Sequence, residues 1–275
     1  MNRIVSFPIL ACMTIVVAGA AVAQTVQNSH SAEPTDPHFN LLPGYLKQSD
    51  LPDSLKLLSP PPAQESAALA RDEEARQETV HLRGSARWEL AVRDAKLNFP
   101  RPAETFSCAM GIAIDEQNTP HLYTLMQKML TDVGLSTYGV KNKFHRTRPF
   151  VEHAEGTCTP GDEEILRTDG SYPSGHSAVG WGWALALAEI NPERSDEIFA
   201  RGLAFGQSRV ICNAHWQSDV ETGRIMAAAT VSRLHADTGF LTDLQAAREE
   251  ASQAREANLK PRNDCAAEAA SLSVR

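Results

Sequence analysis

The sequence predicts an all-α protein: a single-domain helical bundle. Apolar residues recur at helical spacing in the clearest segment, Leu122, Leu125, Met126, Met129, Leu130 and Val133, which together form one face of a helix. Further stretches rich in Ala, Glu and Arg follow the same logic. No run alternates apolar and polar residues over a useful length, and neither a dinucleotide-type glycine fingerprint nor a repeat period occurs. With 275 residues, 42% of them apolar and 22% charged, the chain can bury one large core. The formal charge of −8 and the lack of a basic tract exclude general binding of nucleic acid polymers.

Taken in order, residues 1–23 read as a secretory signal. Met1-Asn2-Arg3 supplies the positive start, residues 4–20 the apolar run, and Ala21-Val22-Ala23 the small-x-small cleavage pattern. Cleavage after Ala23 leaves a mature protein with no membrane anchor and implies a periplasmic location. Residues 24–62 are polar and proline-dotted, an extended arm ending in Pro60-Pro61-Pro62, with Leu41, Leu42, Tyr45 and Leu51 available to pin it. The helical domain spans 63–250. It begins with a helical stretch over 63–97 that breaks at Gly84. The Thr119–Val133 helix is capped by Asn118 or Thr119, carries Pro120 in its first turn and ends at Gly134. Later helices run from His176 to about Ile190, from Glu193 to Ile211, and from about Trp216 through Leu234. An Ala- and Glu-rich tail, 251–275, closes the chain after one more helix.

Beyond the signal, Cys108, Cys158, Cys212 and Cys265 remain, and in an exported protein four cysteines imply two disulfides with three connectivities. The pairing expected is Cys108–Cys158 with Cys212–Cys265. No Cys/His spacing suggests zinc.

Three segments carry concentrated polar chemistry. In Lys141-Asn142-Lys143-Phe144-His145-Arg146-Thr147-Arg148-Pro149-Phe150, Lys141 and Arg148 stand two helical turns apart and would share one side. In Gly170-Ser171-Tyr172-Pro173-Ser174-Gly175-His176-Ser177, a tight turn opens a helix whose unpaired N–H groups and dipole favour an anion. In Ser208-Arg209 … His215 … Asp219, an i,i+4 spacing puts a carboxylate beside an imidazole on one helix face. Three cations, two histidines, a carboxylate and a helix start are the parts that phosphoryl transfer needs. His121, His145, His153 and His235 receive no role.

On those residues the chain resembles the type 2 phosphatidic acid phosphatase (PAP2) superfamily: Lys141-x6-Arg148-Pro149, Pro173-Ser174-Gly175-His176 and Ser208-Arg209-x5-His215-x3-Asp219 fill its three motifs. It is more closely similar to the bacterial class A non-specific acid phosphatases, whose Gly-Ser-Tyr-Pro-Ser-Gly-His-Thr signature appears with Ser177 in the last place. The resemblance implies the helical fold shared with vanadium haloperoxidases. It further implies that His215 attacks phosphorus, Asp219 holds and polarises it, and His176 protonates the leaving oxygen and later activates water. Lys141, Arg148, Arg209, Ser174 and the Gly175 amide would grip the phosphate, with no metal and no other cofactor. Phosphate monoesters of broad type would be substrates, inorganic phosphate or vanadate inhibitors, and a homo-oligomer the assembly. A vanadate-dependent haloperoxidase and a non-catalytic periplasmic phosphate-binding protein are the alternatives.

Overall fold

A computed structural model describes Met1 and residues 41–274. The expected signal segment after Met1 and residues 24–40 of the expected arm lie outside the described residues. Nine helices position the site: α1 (Ala67–Thr79), α2 (Ala86–Asp94), α3 (Pro120–Leu135), α4 (Tyr138–Phe144), α5 (Gly175–Ile190), α6 (Ser195–Ile211), α7 (Gln217–Leu234), α8 (Thr238–Glu256) and α9 (Cys265–Ser273). Shorter helical turns join them, and no strand element occurs among the described residues. The protein is all-α.

Helix α5 is apolar almost all round, so it belongs in the middle, and α3, α6, α7 and α8 pack around it. Small residues set the spacing. A Cβ at Gly180 would lie 2.2 Å from the Phe205 ring, so α5 and α6 meet at this distance only with glycine there. Trp183 fills the centre of the bundle, fully buried, with Phe99, Phe106 and Phe205 around it at ring distances of 6.1 to 6.4 Å. Its indole N–H donates to Met126 O at 2.9 Å, which removes the cost of burying that donor.

The expected break at Gly84 occurs: α1 runs into one 3-10 turn, Gly84 takes φ +76°, and Ser85 caps α2 through Trp88 N. Helix α3 continues past Gly134 to Leu135. Ser136 and Thr137 donate their hydroxyls to Val133 O and Gly134 O, satisfying the last carbonyls without a glycine stop. At its other flank, the Asp132 carboxylate accepts Tyr45 N at 2.8 Å and Leu46 N at 3.2 Å, and Thr131 donates to Leu42 O. Residues 42–46 are thereby fastened to α3. Residues 251–274 comprise the end of α8, with Ala251 and Ala254 in the core, and then α9.

The disulfides correct the expected pairing: they are Cys108–Cys265 and Cys158–Cys212. Proximity in space, not order in the chain, decides. Ala113 N donates to Leu259 O and Asn263 to Glu104 O, which brings the C-terminal segment beside Cys108. Cys158 N donates to Cys212 O, which lays the residue 158 loop against the end of α6.

Candidate active site

The site forms where α5 begins, α6 ends and α7 begins. Ser174 caps α5, its Oγ accepting Ser177 N at 3.2 Å, and its own backbone N donates to Asp219 O at 3.0 Å. A Cβ at Gly223 of α7 would sit 2.5 Å from Ser174 O, so glycine there is what lets the two helix starts touch. The Pro-Ser-Gly-His turn and the His–Asp segment are brought together by this backbone contact.

His215 lies in the turn before α7, and Ala214 N and His215 N both donate to Arg209 O. The expectation of two residues stacked on one helix face is therefore corrected. Only Asp219 is helical, and it reaches back over the helix start to accept Trp216 N at 2.9 Å. From there its Oδ2 lies 3.4 Å from His215 Nδ1 and accepts a short hydrogen bond from Ser171 Oγ, while Oδ1 accepts from Arg146 Nη1 at 2.6 Å. The second imidazole nitrogen, Nε2, is 2.9 Å from Arg148 Nη1. A guanidinium only donates, so Nε2 carries a lone pair and the ring proton sits on Nδ1, facing Asp219.

Lys141 and Arg148 do not share a helix. Helix α4 stops at Phe144, where His145 turns left-handed (φ 42°), and Arg148 lies in extended backbone before the next turn. The end of the short helix Glu163–Thr168 and the residues after it bring them together. Lys141 Nζ donates to Gly170 O at 2.6 Å; Arg148 Nε donates to Leu166 O and Asp169 O, and its Nη1 to Ala214 O at 2.9 Å. Asp169 Oδ2 lies 2.9 Å from Arg148 Nη2 and 3.3 Å from Lys141 Nζ. Arg209 differs from both: it is 1% exposed, and its Nε and Nη1 have no hydrogen-bond partner.

Burial and crowding of like charges set the protonation of these groups. Burial, with Arg148 next to it, lowers the Lys141 ammonium to about 8, still charged in acid or neutral solution. Burial and Arg148 lower Arg209 to about 10. Burial holds His215 well below the usual imidazole value, assisted by Arg148, Lys141 and Arg209, which favours the neutral ring. His176 is depressed too, by burial first and then by Arg209. Its Nε2–H donates to Ala95 O at the end of α2, 3.0 Å away, which leaves Nδ1 to take up a proton.

Every site residue expected from sequence falls in or beside this cluster. Arg146, Ser171 and Asp169 were missed. Arg146 stands in the same basic segment as Arg148, yet it faces Asp219 and Asp72. Ser171 lies inside the Gly-Ser-Tyr turn, whereas nothing in the sequence near Asp169 marks it. His153 pairs with Glu73 and His235 with Glu189. Among the described residues no three His, Cys, Asp or Glu side chains converge as a metal site requires, and no helix is long and apolar enough to cross a membrane.

Comparison with known proteins agrees with the motifs. The PAP2 superfamily model matches residues 121–242. A non-specific acid phosphatase of Providencia stuartii is 44% identical over 207 residues, 75% of this chain and 84% of the relative. An acid phosphatase of Zymomonas mobilis is 37% identical over 260 residues, 91% of this chain and 93% of the relative. A non-specific acid phosphatase of Salmonella typhimurium is 39% identical over 239 residues, 86% and 89% of the two chains. With the shared motifs, the all-helical core and relatives matched over most of their length, the chain belongs to the PAP2 superfamily, in the family that contains these bacterial acid phosphatases.

Proposed function

We propose that this protein is an exported acid phosphatase that hydrolyses phosphate monoesters through a phosphohistidine on His215, without a metal ion. The observation that carries the proposal is Arg209, a buried guanidinium with two donors lacking an acceptor, close enough to His176 and His215 to depress both. An unpaired buried cation is costly, and a tetrahedral dianion would satisfy it. The relatives named acid phosphatases support the same reading.

In the first half-reaction the lone pair of His215 Nε2 attacks phosphorus as Arg148 Nη1 moves from that nitrogen to a phosphate oxygen. The Nδ1 proton faces Asp219, which stabilises the positive charge growing on the ring. The ester P–O bond breaks in line, and the leaving oxygen takes a proton from His176. In the second half-reaction His176 removes a proton from water, water attacks phosphorus, and the P–N bond breaks to restore His215. Lys141, Arg148, Arg209, the Ser174 hydroxyl and the Gly175 amide compensate the equatorial charge, the work that a divalent metal does in other phosphoryl transfers. Because these contacts reach only the phosphoryl group, they support broad specificity toward the ester's other half.

Hydrolysis of p-nitrophenyl phosphate in EDTA, by wild type and by His215→Ala, tests the proposal. The variant should lose at least about 10³-fold in kcat, and acid-labile phosphate should be trapped on wild type alone. Turnover retained in the variant would refute the nucleophile, and loss of wild-type activity in EDTA would refute metal independence.

A further inference from the structure

The Lys141 and Arg148 donors that would grip a phosphate already have acceptors, and one of these is a carboxylate. All five N–H groups of Arg148 are committed: Nε to Leu166 O and Asp169 O, Nη1 to Ala214 O and His215 Nε2, Nη2 to Asp169 Oδ2 and Gly170 O. A phosphate oxygen reaches Arg148 only by displacing one of these. The backbone carbonyls are fixed by the chain around Leu166–Gly170 and by the turn at Ala214. The displaceable acceptors are His215 Nε2, which the reaction itself draws away, and the Asp169 carboxylate, whose side chain is 30% exposed. That same Oδ2 also lies 3.3 Å from Lys141 Nζ, so one carboxylate oxygen bridges the two cations as a phosphate oxygen would.

We infer that Asp169 is a built-in competitor for phosphate: its carboxylate fills the Lys141–Arg148 end of the cradle and must swing out for substrate to bind and back as product leaves. The inference rests on the phosphatase reading of this site and adds to it a device that sets how tightly product is held. The carboxylate is not what positions the cations. Gly170 O holds Lys141, and the carbonyls of Leu166, Asp169 and Ala214 hold Arg148, so removing the carboxylate leaves both side chains anchored. What it contributes is negative charge, and negative charge beside an incoming dianion weakens binding. A place for the displaced carboxylate exists. Beside it a cavity of about 130 Å³ is lined by Asp169 itself together with His145, Arg146, Arg148, Arg167 and Thr168, so the side chain has room to turn from Lys141 toward other cations.

The test measures competitive inhibition by inorganic phosphate against p-nitrophenyl phosphate at one acid pH, for wild type, Asp169→Asn, Asp169→Glu and Arg209→Ala. Asp169→Asn should lower the phosphate inhibition constant about tenfold, because the shape survives and the competing charge does not. Asp169→Glu should return it toward wild type. An unchanged or raised constant in Asp169→Asn would overturn the inference, since the carboxylate would then be inert or would help hold phosphate. Arg209→Ala separates the two claims. If phosphate inhibits that variant as well as wild type, phosphate is not bound in this cradle and the underlying reading falls with the inference; if inhibition is lost there, only the Asp169 result judges the competitor.

Discussion

Arg209→Met should make the empty protein more stable and the enzyme nearly inactive. This guanidinium is 1% exposed, with two donors unpaired. Its fall from 12.5 to about 10 corresponds to roughly 3 kcal/mol against the charged form. Two unsatisfied buried donors at about 1–3 kcal/mol each give a cost of the same order. Methionine fills most of the same space with no polar atom, so the empty variant should gain about 1–3 kcal/mol, or about 2–4 °C in Tm for each kcal/mol at this chain length. Phosphate reverses the order. At a hundred times its Kd it should stabilise wild type by about 2.7 kcal/mol and the variant hardly at all. Activity should fall about 10²- to 10⁴-fold through lost compensation of transition-state charge. The assay is thermal unfolding with and without inorganic phosphate, alongside hydrolysis kinetics. A variant that melts below wild type when empty, yet keeps its phosphate-dependent rise, would refute the idea that Arg209 is held unpaired for a phosphoryl group.

Three further outcomes follow from charge and connectivity. Because burial and Arg209 depress His176 in the free enzyme and a bound dianion raises it, activity that needs its proton should fall at higher pH in the kcat profile than in that of kcat/KM; coincident alkaline limbs would argue against His176 as the acid. Burial raises the Asp132 carboxyl to about 6, above the 3.8 of the unfolded chain, so the fold holds this proton more tightly and loses up to about 3 kcal/mol as pH rises from 4 through 6. Asp132→Asn should flatten that part of the pH–Tm curve, and an unchanged slope would show the carboxylate to be well solvated. Opening Cys158–Cys212 by Cys158→Ser with Cys212→Ser should cost about 4 kcal/mol on a loop-entropy account, given its separation of 54 residues, and should reduce kcat because Cys212 begins the turn that holds His215; full activity in the folded variant would separate the bridge from the site.

Much of the fold was legible because helices announce themselves locally. The stripe from Leu122 to Val133, the break at Gly84 and the apolar run after His176 each appear in the helices observed. Errors arose where a local rule was extended across a turn. Lys141 and Arg148 sit at a helical spacing, but His145 ends the helix between them, and they meet through backbone carbonyls at Leu166 and Gly170. His215 and Asp219 meet although only Asp219 is helical. Gly134 does not end α3, because Ser136 and Thr137 supply the missing donors. Asp169 and Ala95 carried no signal, since each matters through a contact distant in sequence.

The sequence by itself determined the helices and the chemical inventory, because helical periodicity and a three-part motif are local properties of the chain. Tertiary structure alone decided which cysteines pair, which nitrogen of His215 holds the lone pair, and which cation stays unpaired. Those depend on atoms that dozens of intervening residues separate along the chain and that packing brings within a few ångströms, and charge acts across that short distance.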